Sequence, residues 1–143
     1  MRAIGELYRL AEQQNITVDL FPMRSREALS LMNESGACFV AIDPRRLTGE
    51  VDERVKLAHE LGHCMTGAFY NCYARLDCRR RQENKADKWA VVQLITAEQL
   101  DQAVADGYGT LWELAEYFGV TEAFMQKAVC WYTYGNLAAE LYF

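Results

Sequence analysis

Two histidines and three carboxylates have the types and spacing to do chemistry. His59-Glu60-Leu61-Gly62-His63 is an HExxH pattern inside a run that reads as helix. Imidazoles four residues apart on a helix leave from one face, with Cβ atoms about 5–6 Å apart, a span that one metal ion can bridge. Glu60 then stands beside that ion. Zinc lowers the pKa of a coordinated water toward about 7, and a neighbouring carboxylate can take the proton and pass it to a leaving amine. The chemistry implied is hydrolysis of a peptide bond without a covalent intermediate.

A lone histidine on a helix is usually packed or solvated, so the five-residue pattern needs support. It has two kinds. The chain contains only two histidines, both in the pattern, and Glu83-Asn84-Lys85-Ala86-Asp87, an ExxxD sequence, begins twenty residues beyond His63 in another helical run. Glu83 and Asp87 share a helix face. Glu83 is placed to complete a His2Glu ligand set, with Asp87 accepting the second N–H of a ligating histidine. Such a set prefers one Zn2+ per chain, although manganese or iron also suits these donors.

The elements that must hold these residues are readable in order. Positions 3–14 carry Ile4, Leu7, Tyr8, Leu10 and Ala11 at helical spacing, ended by Asn15. Residues 16–21 alternate as a strand, 28–31 form a second, Asn33-Glu34-Ser35-Gly36 signals a turn, and 37–42 is the most strand-like run, making a hairpin with the second. The HExxH helix begins near 48–51, with Glu50, Asp52 and Glu53 at the positive end of its dipole. Val51, Val55, Ala58, Gly62 and Met65 read as its buried stripe, separate from the histidine face. Gly62 costs about 1 kcal/mol within a helix, which suggests close approach of a neighbour. Residues 66–78 read as a loop crossing near the metal, and Trp89, Val92 and Ile95 as the core stripe of the following helix. Arg75, Arg79, Arg80, Arg81, Lys85 and Lys88 form the one basic cluster, read as a solvated face in preference to an acidic-substrate site. The last third, about 96–143, is helical, with capping-box patterns at Thr96 and Thr110 and glycines 107, 119 and 135 at helix ends.

Composition bounds the class. One domain over residues 1–143 is the simplest organisation, and 51% hydrophobic and 24% charged residues place it among globular proteins. A net charge of −5 offers nothing to nucleic acid or an anionic membrane. The start lacks the pattern of a signal peptide, and Cys38, Cys64, Cys72, Cys78 and Cys130 show no CxxC spacing, so reduced thiols and a cytoplasmic location are expected. Cys64 follows His63 but points about 100° away on a helix, which makes it packing. Leu114–Thr121 resembles the turn of a helix-turn-helix, yet 122–134 has Lys127 as its only basic residue, so a packed helical hairpin is the better reading than a DNA contact.

Together, Ile42-Asp43-Pro44, Ala58-His59-Glu60-Leu61-Gly62-His63, Gly67-Ala68-Phe69-Tyr70-Asn71, Glu83-Asn84-Lys85-Ala86-Asp87-Lys88-Trp89-Ala90 and Leu114-Ala115-Glu116-Tyr117-Phe118-Gly119-Val120 resemble the ImmA/IrrE family of zinc-dependent metallopeptidases, most of all its short members from phages and mobile elements. The resemblance implies an α+β, zincin-like fold with a small sheet over the HExxH helix. It implies His59, His63 and Glu83 as zinc ligands, Glu60 as general base and Asp87 as the partner of a ligating histidine. Tyr70 is the candidate to hydrogen-bond the oxyanion, with packing as its alternative role. The implied partner is a helix-turn-helix repressor, cleaved as substrate or, in the rival reading, bound and sequestered around a structural or vestigial zinc site.

Overall fold

The turn signal at 33–36 closes a β-hairpin. In the computed structural model, which describes residues 2–71, 73–135 and 137, the Asn33 carboxamide oxygen accepts from the N–H groups of Ser35 and Ala37, both at 3.0 Å. Gly36 takes the left-handed conformation that the turn requires, at φ 88°. Strands β2 (Ala28–Met32) and β3 (Cys38–Ile42) leave this turn antiparallel, with Ser30 opposite Val40. Strand β1 (Thr17–Leu20) pairs in parallel with the other side of β3, so the order is β1-β3-β2. The most strand-like stretch of the sequence is thus the centre of the sheet, and β2 keeps the open edge beside it.

Helix α1 (Ile4–Gln13) buries Leu7 and Ala11 and ends where Asn15 turns at φ 57°. After β3, the fully buried Asp43 starts a short 3-10 turn at Pro44–Arg46. Its carboxylate accepts from the Arg45 N–H at 2.9 Å and the Met23 N–H at 3.0 Å, and also pairs with the Arg45 guanidinium, which holds its carboxyl well below the usual carboxylate range. That buried anion ties the 21–27 loop, and with it the start of β2, to the end of β3.

The sheet and α1 pack on helix α2 (Glu50–Thr66), whose other side meets helix α3 (Leu76–Leu94). Being covered from two directions moves the buried arc away from the stripe read in the sequence. Val51 and Met65 are exposed, while Leu57 and Leu61 are fully buried toward the core and Ala58 and Gly62 are buried with them. Likewise in α3 Val92 is exposed and Trp89 half-buried, and the core side is Ala86, Ala90, Val91 and Leu94, while Ile95, at the end of the helix, is fully buried as the stripe required. Helix α3 also begins earlier than expected, so the crossing loop is only 67–75.

Gly62 explains how close the two helices come. A Cβ there would lie 2.5 Å from the Ala86 carbonyl oxygen and 2.9 Å from its Cα. Backbone cannot rotate aside as a side chain can. Gly62→Ala should therefore destabilise the fold by about 1–3 kcal/mol from overpacking, against about 1 kcal/mol of helix propensity regained. Urea unfolding followed by circular dichroism reads the sign, and an unchanged or raised midpoint would show that the helices separate cheaply.

Helices α4 (Ala97–Ala105), α5 (Leu111–Phe118) and α6 (Glu122–Tyr134) complete the described chain. Thr96 forms a full capping box with Gln99. Thr110 accepts from Glu113 N–H at 3.3 Å, but Glu113 reaches Gly109 N–H at 3.0 Å and so closes only half a box. Gly119 and Gly135 end α5 and α6 in the left-handed conformation. α5 and α6 pack as a helical hairpin, and α6 also packs on α3. Arg54 of α2, buried without sequence warning, donates to the carbonyls of Phe118 at 2.7 Å and Gly119 at 2.6 Å, a cation at the negative end of α5 that fixes the hairpin to the body. No helix among the described residues is long and apolar enough to cross a membrane.

Candidate metal centre

Close packing of α2 on α3 sets His59, Glu60 and His63 against Glu83 and Asp87. His59 Nε2 lies 2.7 Å and His63 Nε2 3.2 Å from the same atom, Glu83 Oε2. Tetrahedral ligands at about 2.0–2.1 Å from zinc are about 3.3 Å apart, so this trio converges as a ligand set should. The other ring nitrogens are engaged too. His59 Nδ1 meets Asp87 Oδ1 at 2.7 Å, and His63 Nδ1 makes a short hydrogen bond to the Ala68 carbonyl. That carbonyl is aimed back at the ring because Gly67 ends α2 in the left-handed conformation, at φ 68°. With both Nδ1 atoms held by acceptors, each histidine turns its Nε2 to one point, and loss of the Nε2 proton would leave the tautomer a metal requires.

Glu60 is next to this point and not part of the trio. Donor atoms of His59, Glu60 and His63 lie within 4.8 Å of one another. Glu60 is buried, its nearest polar partner is the Ser30 hydroxyl of β2 at a long 3.4 Å, and burial pushes its carboxyl above the ordinary value. A carboxylate raised in this way accepts a proton more readily than an exposed one. Burial opposes charge on His59, but hydrogen bonds to Asp87 and Glu83 outweigh it and push its pKa up to about 10. Glu83 moves the other way: burial raises it, and hydrogen bonds from His59, His63 and Tyr70 more than reverse that. Metal uptake at this point would therefore have to displace a proton from the imidazoles, and is expected to fall off in acid.

A cavity of about 280 Å3 opens in front of the trio, with Ser30, Glu60, His63, Phe69, Tyr70 and Glu83 in its walls. The Tyr70 hydroxyl donates to Glu83 Oε1 at 2.8 Å, the oxygen the histidines do not share. Of the basic cluster, Arg79 also reaches the cavity wall, opposite Arg26, while Arg75, Arg80 and Arg81 are exposed. Cys64 is half-buried against Cys38, and no described cysteine points into the ligand set. Cys72 lies outside the described residues.

Sequence reasoning missed three members of the site: Ser30 beside Glu60, the Ala68 carbonyl behind His63, and Lys127. Lys127 of α6 donates to Asp87 Oδ2 at 2.9 Å, forty residues away in the chain, so a line of charge runs Lys127–Asp87–His59. Its only signal was that it is the sole basic residue of 122–134. Engaged with Asp87, it offers still less to a phosphate backbone.

An HExxH helix under a small mixed sheet, faced by a helix carrying a glutamate, defines an α+β zincin-like domain of the metallopeptidase kind. The chain belongs to the Peptidase_M78 family: the family model for the IrrE N-terminal-like domain matches residues 11–129. No curated protein matches the chain.

Proposed function

We propose that the chain is a zinc-dependent endopeptidase that hydrolyses one peptide bond in a specific partner protein, a helix-turn-helix repressor of a phage or mobile element. The observation that carries the hydrolytic part is the convergence of His59 Nε2, His63 Nε2 and Glu83 Oε2 beside the buried Glu60. The repressor part rests on the sequence motifs shared with regulators of that kind. When bound, zinc supplies Lewis acidity to water and to the scissile carbonyl. Glu60 takes the proton from the attacking water and delivers it to the leaving nitrogen. Asp87 fixes the His59 ring through Nδ1, and the Ala68 carbonyl does the same for His63. Tyr70 orients Glu83 and stands on the cavity wall where a phenol can donate to the developing oxyanion. Substrate in extended form adds to the open edge of β2, which brings Leu29, Ser30 and Leu31 to the cavity; β3 cannot take this role because both its sides are paired.

The test is incubation of the zinc-loaded chain with helix-turn-helix repressors drawn from the genome that encodes it, followed by intact-mass spectrometry. One pair of fragments is expected, abolished by a chelator and restored by zinc. Release of uncleaved repressor from its operator, unaffected by the chelator, would replace hydrolysis with sequestration.

A further inference from the structure

The acidic charge of this chain is not spread evenly. Between Lys88 and Lys127 there is no basic residue, and Glu98, Asp101, Asp106, Glu113, Glu116 and Glu122 are all acidic. Within this stretch, at the junction of α4 and α5, lies a groove of about 540 Å3 whose lining shares no residue with the metal cavity. Its floor is the Tyr108–Tyr117 pair, ring centres 4.7 Å apart, with Tyr117 in turn edge-on to the buried Phe118. Trp112 forms a wall and is 56% exposed, and Tyr117 is 47% exposed. Asp106, Glu113 and Glu116 rim it. The rim is partly fixed, since Gln102 Nε2 holds Asp106 at 2.9 Å and Gly109 N–H holds Glu113 at 3.0 Å. Arg54 of α2 pins the C-terminal end of α5, the helix that carries Trp112, Glu113, Glu116 and Tyr117.

Exposed aromatic faces ringed by carboxylates, with no cation in the lining, are complementary to one kind of ligand. Arginine and lysine stacked on tryptophan or tyrosine gain cation–π attraction, and the carboxylates add charge complementarity and a faster encounter. We propose that this groove is a docking site, separate from the metal cavity, for a cationic segment of the partner protein. The inference rests on the proposed function in one respect: a repressor that binds DNA must carry a cationic surface for phosphates, and that surface is what the groove fits. The rival occupants are less well matched. Residues 138–143 of the chain itself bring Glu140 and no cation, and the groove of a second copy would meet this one acid to acid.

The experiment uses the full chain and two fluorescent 15-residue peptides of identical apolar positions, one with arginine and one with glutamate at the polar positions, titrated and read by anisotropy. Binding of the arginine peptide is expected, with affinity falling several-fold between 50 and 200 mM salt, and no binding of the glutamate peptide. Trp112→Ala and Glu113→Gln/Glu116→Gln should each weaken it about tenfold or more, with unchanged circular dichroism, while Glu60→Gln should not alter it. On the repressor, the same groove variants should raise KM with kcat unchanged, and operator DNA should compete with docking. Equal binding of both peptides, or arginine-peptide binding indifferent to both groove variants, overturns the proposal. So does displacement of the arginine peptide by a peptide of residues 138–143, or dimerisation lost in Trp112→Ala, since each names another occupant. Peptide docking without repressor cleavage would instead fail the hydrolytic reading and leave the groove standing.

Discussion

Glu60→Gln should keep the fold and the bound metal and lower kcat on the partner protein by about 10³-fold, within the 10²–10⁴ range of a general base. The substitution preserves shape, and Glu60 contributes no charge pair that the fold needs. Its polar contact is the Ser30 hydroxyl at 3.4 Å, which an amide can replace. Burial already disfavours its charge, so neutralising it should leave stability unchanged or slightly raised. What the amide lacks is the ability to accept a proton from water and return it to nitrogen. Thermal unfolding, elemental analysis and cleavage kinetics are to be read on one preparation. Cleavage within tenfold of the parent would remove Glu60 from the chemistry. Operator release by the variant at full strength, with cleavage lost, would show that binding alone relieves repression.

What was legible in the sequence follows from range. HExxH and ExxxD are local patterns, and each fixes a face of its own helix, so the facing of His59 and His63 to Glu83 and Asp87 could be read from spacing plus one assumption, that the helices touch. Gly62 supported that assumption, and its position 2.5 Å, counted from a built Cβ, from the Ala86 carbonyl is the contact it forecast. The hairpin turn at Asn33 and the cap at Thr96 were legible for the same reason, since their hydrogen bonds close within four residues. The buried arcs were not. Val51, Met65 and Val92 are apolar and exposed because α2 and α3 each spend part of their surface on the other through small residues, Ala58, Gly62, Ala86 and Ala90, which a hydrophobicity pattern underweights. Strand order was hidden too, because pairing of β1 with β3 depends on a contact across the intervening hairpin. Arg54 and Lys127 act on groups 64 and 40 residues away, and nothing in their neighbourhoods announces it.

His59→Ala and Glu83→Ala should each reduce zinc from about one per chain to little or none after dialysis. Zinc sites of four protein ligands bind with about 10–16 kcal/mol, on the order of 3 kcal/mol per ligand, so deleting one costs about 100-fold or more in affinity. Deleting Glu83 also removes the carboxylate oxygen that lies 2.7 Å from His59 Nε2 and 3.2 Å from His63 Nε2. Asp87→Asn should act one step removed: the His59 ring loses its anionic acceptor and Lys127 its counter-charge, and affinity falls about 10–100-fold, the range for such supporting groups. Competition with a chromophoric chelator measures all three, with circular dichroism to confirm folding. Full zinc retention in Glu83→Ala would overturn the ligand set and pass the third position to Glu60, the other carboxylate within 4.8 Å of both histidines. In that event Glu60→Gln would lose metal as well as activity. The two variants therefore check each other, because only one of the two carboxylates can be the ligand while the other moves the proton.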